Sequence, residues 1–295
     1  MARDTRPQGG PILFLIGAQK GGSSIFASQL VQHPEIAFYS IKEPNFFVAG
    51  DIAACRSALD AVSRPSDPPR YLLDASVNYT RYPLLDEVPR NIHALCDGEA
   101  LRFLYILRHP VDRALSEYFW KCERYGEYLP VEEALAGESQ YVQSSLYDQQ
   151  IRRYLEYFDP ASFFFVKFDN YFAAPQAEFD AACDWLGLAP CALQKKDAVL
   201  GATYKQTTNK PRVAALNQLL YANPRLKGTL KKILPVRTLS KATGMLSKTV
   251  PRPLVSEAFR HTLFERHFAQ SVVETEKLTG LDLQDWLQSP IGQTG

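Results

Sequence analysis

Continuous apolar runs alternate with amphipathic stretches along most of the chain. Residues 11–17 (PILFLIG), 101–108 (LRFLYILR) and 162–168 (SFFFVKF) are almost unbroken apolar runs, so each predicts a strand buried on both faces. Shorter runs at 36–40 and 71–76 predict two more strands. Helical spacing fills the intervals. Residues 22–33 predict a helix capped by Ser23 or Ser24, with Ile25, Phe26 and Leu30 inward, stopped by Pro34. Residues 110–126 predict a second helix. Pro110 sits in its first turn, where no N–H is needed, and Asp112 complements its positive end. Further helices are expected at 144–157, 175–187 and 255–278, and the prolines of 63–70 (SRPSDPPR) mark a loop. Strands alternating with helices predict an α/β fold with a mainly parallel central sheet flanked by helices. Ligands in such sheets lie beyond the carboxyl ends of the strands.

The composition narrows the class. The 295 residues are 46% hydrophobic, which suffices for a sizeable core, and we expect a flexible N-terminus at 1–10 followed by one domain at 11–295. A net charge of +1 supplies no global field for nucleic acid. Five cysteines, Cys55, Cys96, Cys122, Cys183 and Cys191, form no C-x-x-C pair, which argues against a disulfide framework or zinc cluster and for a reducing compartment. The apolar run at 12–16 is too short for a signal or a bilayer span. These features predict a soluble, cytoplasmic chain. His33 and His109 read as local structure, and Trp120, Trp185 and Trp286 as core residues or apolar plugs.

Three segments carry candidate chemistry. In GAQKGGSS, at residues 17–24, a Gly-rich turn opens a helix, the arrangement whose backbone N–H groups and dipole bind oxyanions. Gly21 and Gly22 admit an anion to the main chain, Ser23 and Ser24 add hydroxyl donors, and Lys20 adds a charge. The nucleotide-hydrolase loop places its lysine after the last glycine, whereas Lys20 precedes both glycines. The bland alternative is an ordinary strand-to-helix turn. In LRHPVDRALSEY, Arg108 ends a strand and Ser116 follows eight residues later, a guanidinium and a hydroxyl suited to phosphate, or else a surface ion pair and a solvated serine. In IKEPNFF, Glu43 sits before a proline, extended or in a turn, as a base for an attacking hydroxyl or as a solvated loop carboxylate.

Taken together, these segments resemble the sulfotransferases that use 3′-phosphoadenosine 5′-phosphosulfate (PAPS), especially the carbohydrate and heparan sulfate branch and its soluble bacterial relatives. GAQKGGSS is similar to that family's 5′-phosphosulfate loop, LRHPVDRALSEY to its 3′-phosphate motif, KEPNFF to its acceptor-side segment, and LLDASVNYT to a further segment that usually reads Ser-Pro-x-Tyr. FFFVKFDNYFAAPQAEFDAACDWLGL and TEKLTGLDLQDWL are like its closing elements. The resemblance implies the P-loop-like sulfotransferase fold. It implies that Lys20 contacts the bridging oxygen and sulfuryl group, that Gly21, Gly22, Ser23 and Ser24 hold the 5′-phosphate, that Arg108 and Ser116 hold the 3′-phosphate, and that Glu43 is the general base. The donor would be PAPS, the product 3′,5′-diphosphoadenosine (PAP), no metal would be needed, and the acceptor would be a hydroxyl or amine on a carbohydrate, glycolipid or secondary metabolite. At acceptor-side positions, Asn45 stands where some relatives have histidine, Val48 where some have aspartate, Ala75 where the heparan sulfate enzymes have lysine, and Val77 where proline is usual. The competing classes are a P-loop nucleotide kinase or hydrolase and a non-catalytic anion-binding protein.

Charge along the chain is uneven. From Ala198 to Ser256 there is no Asp or Glu but there are eleven Lys and Arg residues. This segment reads as a solvated basic face, as Lys210 or Arg212 closing over the 3′-phosphate, or as a dock for an anionic acceptor or membrane-borne glycolipid. Pro235 and Gly244 break it as an interfacial helix, which disfavours membrane contact.

Overall fold

Successive side chains of the first strand enter two different cores. The computed structural model describes residues 11–62, 69–96, 100–125, 129–194, 207–211, 247–251 and 254–289. In β1 (Ile12–Gly17), Phe14 and Ile16 pack on one face of a sheet, and Leu13 and Leu15 on the other. The unbroken apolar run is thus a strand covered on both sides. With β2 (Ile36–Phe38), β3 (Tyr71–Asp74), β4 (Arg102–Leu107) and β5 (Phe163–Lys167) it forms a five-stranded sheet ordered β2-β3-β1-β4-β5. Every pairing in it is parallel. Phe14 stacks on Phe103 with centroids 5.2 Å apart, and Phe103 on Phe163 at 4.8 Å, which ties β1, β4 and β5 along one face.

The strand order creates a crevice. After β1 the chain crosses to β2 on one side, and after β4 it continues to β5 on the other. The carboxyl ends of β1 and β4 therefore flank a topological switch point, where α/β sheets bind ligands.

Among the described residues the α-helices are α1 (Ser23–Leu30), α2 (Ile52–Asp60), α3 (Val88–Leu95), α4 (Pro110–Tyr125), the short α5 (Val131–Ala134) and α6 (Gln140–Gln143), α7 (Tyr147–Leu155), α8 (Phe168–Ala173), α9 (Pro175–Trp185), α10 (Glu257–Leu263), α11 (Ala269–Thr279) and α12 (Gln284–Gln288). Several differ from expectation. The first helix ends at Leu30 and relaxes into turns at Gln32 and His33, because Pro34 pushes the residue before it out of the helical region. Its cap is Gly22, not Ser23 or Ser24, and Ile25 is 37% exposed while Ala27 takes the inner position. The helix expected at 144–157 runs over Tyr147–Leu155 only, and a separate short helix, Gln140–Gln143, precedes it. The helix expected at 255–278 contains a π segment at Phe264–Phe268, which sends Phe264 and Phe268 into the core.

The C-terminal helices close on the start of α4. Arg260 pairs with Asp112 in its first turn, and Lys167 at the end of β5 donates to Asp285 at 2.6 Å. His109 is buried between the rings of Phe264 and Trp286. Trp286 is a core residue as expected, whereas Trp120 and Trp185 are only half-buried. Thr207–Pro211 and Ser247–Pro251 form an antiparallel pair, β6 and β7, with Lys210 opposite Lys248. Arg212, Pro235, Gly244 and residues 1–10 lie outside the described residues. Among the described residues, no helix is long and apolar enough to cross a membrane.

Candidate active site

The loop after β1 is held from beneath by β4. Ala18 N–H donates to the Ile106 carbonyl at 2.9 Å, and Gly21 N–H turns back to the Ala18 carbonyl at 2.9 Å. A Cβ on Gly21 would lie 3.1 Å from both carbonyl oxygens, so a side chain there would push the two backbone segments apart. Gly22 has φ of 90°, and a Cβ there would also meet the Phe168 ring at 3.0 Å. Helix α1 starts immediately afterwards. The N–H groups of Ser23 and Ser24 have no carbonyl of their own helix to reach, and they stand at its positive end. Neither serine side chain caps the helix. Ser23 Oγ lies 3.5 Å from the Ala18 carbonyl, and Ser24 Oγ accepts from Lys42 Nζ at 2.6 Å.

Lys20 adopts φ of 68°, a left-handed conformation that costs a non-glycine residue about 1–3 kcal/mol. Two arginines brace the loop. Arg108 Nη1 donates to the Lys20 carbonyl at 3.2 Å, and the fully buried Arg113 guanidinium approaches the Gln19 carbonyl at 3.5 Å while pairing with Glu117 at 2.9 Å. The Lys20 ammonium sits 5.8 Å from the Trp120 ring centroid, within cation–π range.

The second element follows β4. The Tyr147 hydroxyl donates to the Arg108 carbonyl at 2.7 Å and accepts from the Arg108 N–H at 3.3 Å, fixing the end of the strand. The Arg108 guanidinium lies over the Phe168 ring, 5.0 Å from its centroid. Ser116 lies on α4, and both residues line one cleft of about 950 Å³. That volume suits a ligand of nucleotide size.

The same cleft is lined by Lys20, Gly22, Ser23, Ser24 and Glu43. Gly21 shapes the loop from below and is buried. Glu43 has φ of 59°, and its carboxylate lies 3.5 Å from Lys42 Nζ. Residues as far apart in the sequence as Lys20 and Ser116 thus line one cleft, although the motifs left out part of the lining. Arg81, Lys121, Asn78, Gln140, Trp120 and Phe168 also face the cleft. Lys42 carries a legible signal, since it adjoins Glu43 in KEP. Arg81 and Lys121 carry none until the fold brings both toward Glu117, at 3.4 Å and 3.6 Å. Burial pushes the Glu117 carboxyl up, but the charges of Arg113, Arg81 and Lys121 outweigh it and hold the group below the usual carboxylate range. Among the described residues, no three of His, Cys, Asp and Glu cluster in a way that could hold a metal ion.

A second buried carboxylate behaves in the opposite way. Asp74 at the end of β3 is 1% exposed and accepts from Ser76 Oγ at 2.6 Å and from the Tyr79 hydroxyl at 2.7 Å. Burial pushes its carboxyl from 3.8 to about 6, the two hydroxyl donors opposing. Between those values the folded protein binds more protons than the unfolded chain, so this group makes stability fall as pH rises from about 4 to about 6. The shift corresponds to about 3 kcal/mol. Urea titrations of wild type and Asp74→Asn are expected to show the wild type losing stability relative to the variant across this window and remaining level above it. A difference that is flat with pH would remove the assigned titration.

The strand order and the Gly-rich loop after the central strand place the chain in the phosphate-loop-like class of α/β folds. The family described as "Sulfotransferase domain" matches residues 11–215, and the chain belongs to it. Heparan sulfate glucosamine 3-O-sulfotransferase 5 of Mus musculus and its Homo sapiens counterpart are each 25% identical over 193 residues, 61% of this chain and 54% of theirs. The chain thus spans about half the length of the curated relatives it matches. The crystal structure of a sulfotransferase from Alicyclobacillus acidocaldarius shares the fold, with a TM-score of 0.64 and 21% identity over 94% of this chain and 98% of that one.

Proposed function

We propose that this chain transfers a sulfuryl group from PAPS to a hydroxyl or amine of an acceptor and releases PAP. One observation carries the reading: a single cleft is lined by two groups of residues suited to anions, Lys20 with Gly22–Ser24 beyond β1, and Arg108 with Ser116 beyond β4. Two such elements match a nucleoside with phosphates at its 5′ and 3′ positions better than they match a triphosphate chain. Family membership and the early lysine support the same choice.

In this mechanism the chain's residues supply position and charge. Gly21, Gly22, Ser23 and Ser24 hold the 5′-phosphate, and Arg108 and Ser116 the 3′-phosphate. Lys20 stabilises the negative charge that builds on the oxygen between sulfur and the departing phosphate. Glu43 takes the proton of the acceptor as its oxygen or nitrogen bonds to sulfur and the old sulfur–oxygen bond breaks. The acceptor is a carbohydrate, glycolipid or secondary metabolite that carries the hydroxyl or amine. The resemblance to enzymes named for heparan sulfate glucosamine supports a glycan, and the departures at Asn45, Val48, Ala75 and Val77 favour one other than heparan sulfate.

Residues 11–295 act as one domain. The family match stops at residue 215, yet Phe264, Phe268, Val272 and Trp286 belong to the same buried cluster as Phe14 and Phe103.

Thermal unfolding with ligands tests the proposal. PAP without magnesium is expected to raise the melting temperature, as ligands selective for the folded state do. Stabilisation by magnesium-ATP alone would favour a kinase or hydrolase. Transfer of radioactive sulfur from PAPS to a panel of polysaccharide, glycolipid and small hydroxyl acceptors then identifies the acceptor. Binding of PAP with no transfer to any of them would favour a non-catalytic anion-binding protein.

A further inference from the structure

The turn that presents Glu43 is strained and is tied to a buried carboxylate. Glu43 and Asn45 both lie in the left-handed region, with φ of 59° and 55° on either side of Pro44. Asparagine tolerates this conformation, but glutamate has no local hydrogen bond that rewards it. The surroundings therefore have to hold Glu43 there.

They do so through a chain of hydrogen bonds. Asn45 Nδ2 donates to the Glu43 carbonyl at 2.8 Å, and Asn45 Oδ1 accepts from Asn78 Nδ2 at 3.0 Å. The Asn45 backbone N–H donates to Ser76 Oγ at 3.0 Å, and Ser76 donates onward to Asp74 at 2.6 Å. Ser76 and Asp74 are fully buried at the carboxyl end of β3, beside the central strand. The direction of each bond is fixed by its end. An ionised carboxylate only accepts, so Ser76 must spend its hydroxyl proton on Asp74, which leaves its lone pairs for the Asn45 N–H. The other Asp74 oxygen takes the Tyr79 hydroxyl at 2.7 Å, so both carboxylate oxygens have partners. This transmits the position of a rigid strand to the turn that carries Glu43.

We infer that Asp74, Ser76 and Asn45 are positioning residues that hold Glu43 toward the cleft. This rests on the proposed role of Glu43 as the base that takes the acceptor proton. None of the three has a place in the donor-binding elements, so their loss acts on the transfer step and leaves donor binding intact.

The test uses the full chain with Asn45→Ala, Asn45→Gly and Ser76→Ala. Asn45→Gly keeps φ of 55° free of strain but lacks the side-chain bonds, so it separates those bonds from backbone preference. Three measurements are made. Hydrogen exchange is followed in the segment 41–47, PAP affinity is measured by calorimetry, and kcat and the KM for PAPS are measured with the panel acceptor that the wild type labels fastest. The expected result is faster exchange in the segment and a fall in kcat of about a hundredfold for both Asn45 variants, as misplacement of a catalytic group by about 1 Å produces. PAP affinity and the KM for PAPS stay as in the wild type. Unchanged kcat in folded variants overturns the assignment, as does a parallel loss of PAP affinity, which would mean that the whole cleft had collapsed. A wild type that binds PAP but labels no acceptor overturns the proposed function and this assignment with it. A wild type that transfers sulfur while the variants match it overturns the assignment alone.

Discussion

Lys20→Ala is expected to lower turnover by at least about two orders of magnitude, the typical loss when one group that stabilises transition-state charge is removed. It is also expected to weaken PAP binding, since Lys20 lines the cleft in the loop proposed to hold the 5′-phosphate. The loop should survive the change. Its carbonyls are held by Arg108 and Arg113 and its turn by Gly21 and Gly22, none of which uses the Lys20 side chain. Alanine tolerates φ of 68° no better than lysine, so the backbone cost is about the same in both proteins. Lys20→Arg, which keeps the charge on a different geometry, is expected to recover part of the rate. The measurement is steady-state transfer from PAPS with PAP calorimetry alongside. Turnover near the wild-type level in Lys20→Ala would remove the residue from the mechanism.

Glu43→Gln is expected to separate the two functions of the cleft. PAP affinity should stay near wild type, because neither proposed phosphate element includes Glu43, while kcat falls by roughly a hundred- to ten-thousandfold, the usual worth of a positioned general base. Folding should be unaffected. Glu43 and Lys42 are 40% and 38% exposed, and an ion pair so open to water contributes little stability. Lys42 also keeps its bond to Ser24. Calorimetry and single-turnover transfer decide the matter, and a proportional loss of PAP binding would show Glu43 acting on the donor rather than on the acceptor.

The three strands with nearly unbroken apolar runs were readable because burial on both faces confines charged residues to the strand ends, Arg102 in β4 and Lys167 in β5. The helix ends were less readable. Ser23 and Ser24 look like caps, but the left-handed Gly22 starts the helix and leaves both serines at the cleft. Ile25 has inward-facing spacing, yet it lines the cleft and is 37% exposed. Trp120 has the composition of a core residue and instead lines the site. Each difference arises where the chain meets the cleft, because packing there serves a surface and not a core.

By itself the sequence determined the alternation of strands and helices, the Gly-rich loop with its early lysine, and the Arg108-to-Ser116 spacing. Those are local properties, set by residue period, backbone freedom and short-range order. The tertiary structure alone decided that β1 and β4 lie side by side, so that Lys20 and Arg108 share one cleft. It alone joined Lys42 to Ser24, brought Arg81 and Lys121 around Glu117, and connected Asp74 through Ser76 and Asn45 to the Glu43 turn. These pairings depend on strand order and on conformations with positive φ. Both are set by which distant surfaces pack together, and no window of neighbouring residues contains that information.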